Sequence, residues 1–253
     1  MTTIELGPNV RLQKVGDFTR AGMDPEMKPP VDVTSKFPAK AENFKCGPEG
    51  TWYATVEELV LVTEGNKQVK RPRHRIHWLT ASGEVRVVRE LPVFHEIAFE
   101  QTIALLTADR GELLQLSLES GEISPLAIEG YTFDEAARLW EIFLLEGERV
   151  LVRESTSKTL VLAKQSPTGL VYLADFSFAG AVTVVGKRFL VGGTKSVIAL
   201  DLATNTPRQV GTTTEVGVGM IWRLGENVRI YSKAGAWQIL VNEPRSSNHP
   251  SAA

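Results

Sequence analysis

The run Leu114-Gln-Leu-Ser-Leu-Glu-Ser-Gly-Glu-Ile123 joins one apolar segment to another through a Ser-Gly pair. Segments this short read as strands, and a Ser-Gly pair between them supplies the tight turn of a hairpin. The pattern returns in Ile76-His-Trp-Leu-Thr-Ala-Ser-Gly-Glu-Val85 and in Val197-Ile-Ala-Leu-Asp-Leu-Ala-Thr-Asn-Thr206, with Ser166-Pro-Thr-Gly169 at the equivalent point between them. The chain is therefore built on one repeated hairpin.

A second kind of turn precedes a strongly apolar strand: Glu57-Glu58, Glu100-Gln101, Gly147-Glu148, Gly186-Lys187 and Gly225-Glu226. Their second members follow one another at 43, 47, 39 and 39 residues. The strands introduced this way include residues 59–63, 149–153, 189–191 and 227–231. This unit resembles the outer hairpin of kelch and quinoprotein-type β-propeller blades, in architecture alone and over residues 50–244. The Trp-Asp dipeptide and the kelch Gly-Gly pair that mark such families do not recur here. The resemblance implies an all-β fold, a single β-propeller domain over residues 1–253 with about five four-stranded blades. One such sheet cannot bury both faces, whereas several packed radially can. The last repeat holds three strands (218–222, 227–231 and 237–241), so residues 1–15, through Asn9–Val15, are expected to donate the closing strand and cover a bare sheet edge.

Residues 16–49 carry Pro25, Pro29, Pro30, Pro38 and Pro48 with few apolar runs, and read as a long irregular excursion. A degenerate sixth blade is the rival reading of that segment. Locally, Thr132-Phe-Asp-Glu135 is a capping-box pattern that favours a helix over 132–145, while the repeat places a blade's innermost strand at 139–145. The repeat is given precedence. Residues 245–253 form a polar tail.

Lys and Arg number 28 against 30 Asp and Glu, a net charge of −2, which provides no global attraction to nucleic acid or anionic membranes. No apolar run approaches the roughly 20 residues of a membrane span. The lone Cys46 excludes an intrachain disulfide, and no basic-then-apolar leader opens the chain, so a cytoplasmic location is the expectation.

Signals for chemistry are sparse. His74 and His77 fall on opposite faces of a strand, which argues against a metal site, and no cofactor motif is present. The densest charge, Lys67-Gln-Val-Lys-Arg-Pro-Arg-His-Arg75, is expected to be a protruding loop. Its Lys70, Arg71, Arg73 and Arg75 are the candidate binding residues for an acidic protein partner, or else simple protection of a sheet edge. Innermost strands are expected near 51–56, 95–99, 139–145, 181–185 and 219–223; these hold Glu96, Glu141, His95 and Arg223, with Asp134 and Arg138 just upstream of the third. Paired carboxylates are the minimum for a glycosidase- or lactonase-type hydrolase, so Glu96 and Glu141 are the alternative, catalytic candidates. Trp52, Trp140 and Trp222 occupy corresponding places in three repeats, as blade packing or as a lectin surface. The leading expectation is a non-catalytic protein-binding module, an adaptor or a bacterial immunity protein.

Overall fold

In the computed structural model of the chain the described residues are 2–46, 51–80, 82–91, 94–100, 103–108, 112–117, 120–134, 137, 139–154, 157–225 and 227–242. The polar tail at 245–253 lies outside them. Strands β1 (Thr3–Gly7) and β2 (Val10–Gly16) form a hairpin, followed by two 3-10 turns and a single turn of helix, α1 (Val31–Thr34). Next come β3 (Glu42–Cys46), β4 (Trp52–Glu64), β5 (Lys67–Leu79) and β6 (Val85–Leu91), then β7 (Phe94–Glu100), β8 (Ile103–Ala108), β9 (Leu113–Ser117) and β10 (Ile123–Pro125). A third group holds β11 (Ile128–Glu129), β12 (Leu139–Leu145), β13 (Arg149–Glu154), β14 (Thr159–Ser166) and β15 (Gly169–Ser177). The chain continues through β16 (Ala181–Val185), β17 (Phe189–Gly193), β18 (Val197–Asp201) and β19 (Arg208–Thr213) to β20 (Met220–Leu224), β21 (Asn227–Ser232) and β22 (Gly235–Val241).

Among the described residues these strands make five sheets, in the orders β3-β4-β5-β6, β7-β8-β9-β10, β12-β13-β14-β15-β11, β16-β17-β18-β19 and β20-β21-β22-β2-β1. Each is an antiparallel meander led by its first strand, and β11 adds in parallel to β15. The N-terminal strand joins the last sheet as expected: β2 pairs with β22 from Val10↔Val241 to Gly16↔Ala236.

The turn chemistry explains the meanders. Gly147 and Glu148 both take positive φ (68° and 58°), as do Gly186 and Lys187 (55° and 49°), the geometry that reverses a twisted ribbon. The Ser-Gly pairs sit between third and fourth strands, with Gly83 and Gly121 at φ 85° and 70°. The middle strands bury both faces: all of β17 is buried, as are Val150, Leu151 and Val152 of β13. Burial on both faces is why these strands read as unbroken apolar runs and not as alternation.

Three expectations are corrected or resolved by the strands. Glu57-Glu58 is not a turn but lies inside β4, laddered to His74 and Arg73 of β5; the reversal comes at Gly65-Asn66, where the φ of Gly65 is 60°. The irregular excursion ends in a strand, β3, which pairs with β4 and leads the first sheet, so residues 51–56 belong to the second strand and not to an innermost one. Its five residues, Glu-Asn-Phe-Lys-Cys, hold one large apolar side chain, which hid the strand from a reading by hydrophobicity. Over 132–145, Leu139–Leu145 forms β12, and the described residues before it are irregular: ladder bonds to β13 prevail over the local helical pattern.

The chain divides into two compact units. One comprises Met1–Asp24, Gly180–Trp222 and Asn227–Ala253. Its core joins Leu6 and Leu12 to Val185, Phe189, Val191, Val228, Ile230 and Trp237. Strand β19 approaches β1 so closely that a Cβ on Gly211 would lie 1.3 Å from the Leu6 carbonyl oxygen. In the same unit Asp24 is buried with Arg229 and Tyr231: Arg229 Nη1 and the Tyr231 hydroxyl (2.9 Å) both donate to Asp24 Oδ2. Burial, and then the bond to Asp24, push the Tyr231 phenol well above its ordinary range.

The second unit comprises Pro25–Ala179 with Arg223–Glu226. Its cores lie between successive sheets: Tyr53, Ile76 and Trp78 meet Ala104, Leu106 and Leu116, and Leu105 meets Leu139, Ile142 and Val152.

Candidate functional site

The first sheet carries an extension. Strands β4 and β5 each run 13 residues, paired without interruption from Trp52↔Leu79 to Glu64↔Lys67. Strand β3 pairs with β4 only as far as Thr55, and β6 pairs with β5 only from His74 to Leu79. Residues 57–73 therefore continue as a two-stranded ribbon with neither edge paired within the sheet.

The two faces of this ribbon differ in chemistry. On one, Glu58, Val60, Val62 and Glu64 lie opposite Arg73, Arg71, Val69 and Lys67. Arg71 grips Glu64 with Nε and Nη2 at 2.8 and 3.0 Å, and Arg75 reaches Glu58 at 3.3 Å. The ion pairs span the half-buried Val60 and Val62, satisfying that face from within. On the other face, Leu59 and Leu61 are 64% and 63% exposed, and the exposed Lys70 lies directly across from Leu61. Large apolar side chains this exposed, adjacent on one surface, mark an interaction site more often than an accident.

Residues 67–75 are strand and not the expected loop, the first part of β5, because the ladder to β4 runs unbroken through them, and the binding residues expected there divide. Lys70 stands on the apolar face. Arg71 and Arg75 are engaged by glutamates of the ribbon and of its base. The side chain of Arg73 lies outside the described residues.

A second grouping involves the strands that lead the sheets. Glu141 of β12 faces Arg153 of β13, whose Nη1 donates to Glu141 Oε2 at 2.7 Å. Lys45 of β3 and Arg223 of β20 bring two more cations. Burial pushes the Glu141 carboxyl up, opposed by the bond from Arg153, then by the charges of Arg153 and Lys45. The Lys45 ammonium falls to about 7, mainly through burial, next through repulsion by Arg223, with Glu141 acting the other way. Glu96 is on β7, a lead strand as expected, paired to Thr107, but its side chain lies outside the described residues. Sequence reasoning singled out Glu141 and Arg223 but missed Lys45, concealed in the supposed excursion, and Arg153, which a cross-strand register would have revealed.

Among the described residues no three His, Cys, Asp or Glu side chains converge as a metal site. His77 is buried on β5, and burial lowers its pKa; the side chain of His74 is outside the described residues. Of the described tryptophans Trp222 is 42% exposed, whereas Trp78 and Trp237 are buried in cores. Among the described residues no helix is long and apolar enough to cross a membrane.

No protein-family profile and no curated protein matches the chain. Solved structures do. The periplasmic gluconolactonase of Pseudomonas aeruginosa is similar over 80% of this chain and 66% of its own, at 13% identity and a TM-score of 0.51. An oligogalacturonate lyase in complex with manganese is similar over 83% and 68%, at 9% identity and 0.51. The β-propeller domain of Cps50 (Swd1) from Myceliophteria thermophila is similar over 80% and 84%, at 10% identity and 0.51. The chain thus has the architecture of the β-propeller proteins, shared at identities that speak to fold alone.

Proposed function

We propose that this chain is a non-catalytic, protein-binding propeller whose β4–β5 ribbon docks a partner with an apolar surface rimmed by acidic groups. The observation that carries the reading is the two-faced ribbon: charges satisfied on one side, Leu59 and Leu61 bare on the other beside Lys70. Acidic chemistry in the partner's rim follows from Lys70, the exposed cation that stands on the apolar face directly across from Leu61. An adaptor or a bacterial immunity protein would both use such a surface. The proposed location is the cytoplasm, where a chain with one cysteine is at home.

Capture by the immobilised chain from its native lysate tests the reading. A stoichiometric partner should be retained by the parent chain and by Glu141→Gln, and lost by the double variant Leu59→Glu, Leu61→Glu. Retention by the double variant would refute the ribbon as the docking face.

A second reading is a hydrolase of the lactonase or glycosidase kind acting through Glu141. What favours it is the raised, half-buried Glu141 on a lead strand, a property that suits a general acid. Against it stands the 2.7 Å bond to Arg153, which favours the ionised form. Hydrolysis of a lactone or glycoside library, abolished by Glu141→Gln, would establish it in place of the first reading.

A further inference from the structure

Leu105 of β8, Gln115 of β9 and Ser124 of β10 are cross-strand partners, Leu105↔Gln115 and Ser124↔Gln115, so their side chains stand in one row on one face of the sheet. The row runs from the buried Leu105 through the half-buried Gln115 to the exposed Ser124. Leu105 packs in a core with Leu139 and Leu170 of the sheet led by β12, so the row faces that sheet. Opposite it stands the turn between β14 and β15, Ser166-Pro-Thr-Gly169. The two walls enclose an open cleft of about 380 Å³, all of it within the second unit. We propose that this cleft binds a neutral, polyhydroxylated ligand, a saccharide, at a place separate from the ribbon.

The cleft is held open by the backbone. The Leu126 N–H donates to the Leu113 carbonyl at 2.9 Å, and the Leu170 N–H donates to the Ala127 carbonyl at 3.2 Å. The segment between β10 and β11 is therefore tied to both walls. Ser166 Oγ donates to the Gly169 carbonyl at 3.2 Å and fixes the turn on the far side. A ligand would meet a site already shaped, with little ordering to be done on binding.

The lining selects the ligand's chemistry. The floor is aliphatic, formed by Ile103, Leu105, Leu126 and Leu170, and the rim carries the amides of Gln115 and Gln165 with the hydroxyls of Ser124 and Thr168. No charged side chain lines the cleft, although 23% of the chain is charged. An ionic ligand would lose its water there without gaining a counter-charge. A wholly apolar ligand would leave the rim's amides and hydroxyls without partners. The Gln115 amide bonds no other described residue, and it offers both a donor and an acceptor. Two neighbouring hydroxyls of a sugar satisfy both at once, while the sugar's C–H face lies on the leucines.

The test is a titration of the full chain followed by saturation-transfer-difference NMR, with glucose, N-acetylglucosamine and maltose as neutral probes and gluconate as the charged counterpart. At least one neutral sugar should bind at millimolar concentration, and gluconate should not. Gln115→Leu keeps the volume and deletes the amide, and should weaken binding tenfold or more. Ser124→Arg, at an exposed position where folding tolerates the change, should abolish binding by filling the mouth. Hydrogen exchange on the parent chain answers without any variant: the bound sugar should slow exchange in 113–117 and 165–170 and leave 57–73 unchanged. Binding of none of the neutral sugars, equal binding of gluconate, undiminished binding by both variants, or exchange slowed only outside those two segments would overturn the site.

Discussion

Asp24 and Arg229 make a buried ion pair completed by the Tyr231 hydroxyl, and it anchors the segment after β2 to strand β21. Removing the carboxylate strands a buried guanidinium, which costs more than the bond itself is worth. Asp24→Ala should destabilise the chain by about 3 kcal/mol, visible as a melting temperature lower by roughly 6–12 °C. Tyr231→Phe, which loses a single hydrogen bond, should cost only about 1 kcal/mol in the same assay. Lys45 makes a prediction in pH. Folding lowers its pKa from 10.5 to about 7, so between those values the folded chain holds fewer protons than the unfolded one. Stability contributed by this group therefore climbs as pH rises from about 7 towards 10.5. Urea unfolding from pH 6.5 to 9.5 should show that slope in the parent chain and a flatter one in Lys45→Met, with the variant the more stable at pH 7. An unaltered slope would show that Lys45 is not the group responsible. The Asp24 cluster was not legible in the sequence, and of the groups around Lys45 only Glu141 and Arg223 were. Asp24 and Arg229 are far apart along the chain, and no spacing rule pairs a residue of an irregular segment with one of a strand.

At the scale of elements, hairpins whose turns carry glycine were readable, because φ values of 55–85° at Gly83, Gly121, Gly147 and Gly186 need that residue or tolerate few others. The first sheet was misread because Glu57-Glu58 copied the position of a turn without its chemistry; Gly65-Asn66 had that chemistry and lay eight positions further on. Extending β4 past that point is what creates the ribbon, so the error concealed the candidate site as well. Leu59 and Leu61 looked like core strand residues, and only the ends of β3 and β6 reveal that nothing in the sheet lies beside them. Since these leucines are exposed, Leu59→Glu with Leu61→Glu should shift stability by no more than about 0.5 kcal/mol per site while removing partner binding. A large loss of melting temperature would mean that the ribbon packs within the fold. Gly211 behaves oppositely. A methyl there collides with the Leu6 carbonyl, so Gly211→Ala should cost about 3 kcal/mol or prevent folding, read by thermal melts.

For the whole molecule, the recurrence of short strands and turns announced the architecture, five successive sheets of four or five strands among the described residues. Function left no comparable trace. A propeller's sequence is mostly the packing of its sheets, and the same packing serves proteins whose described activities include a gluconolactonase and a lyase. This chain departs from its own repeat at an overlong hairpin with an exposed apolar face. The most direct test of that claim is hydrogen–deuterium exchange on the complex with its captured partner. Docking through the ribbon predicts slowed exchange across residues 57–73 and little change in the sheets led by β12 and β16. Slowed exchange elsewhere, with 57–73 as fast as in the free chain, would contradict it.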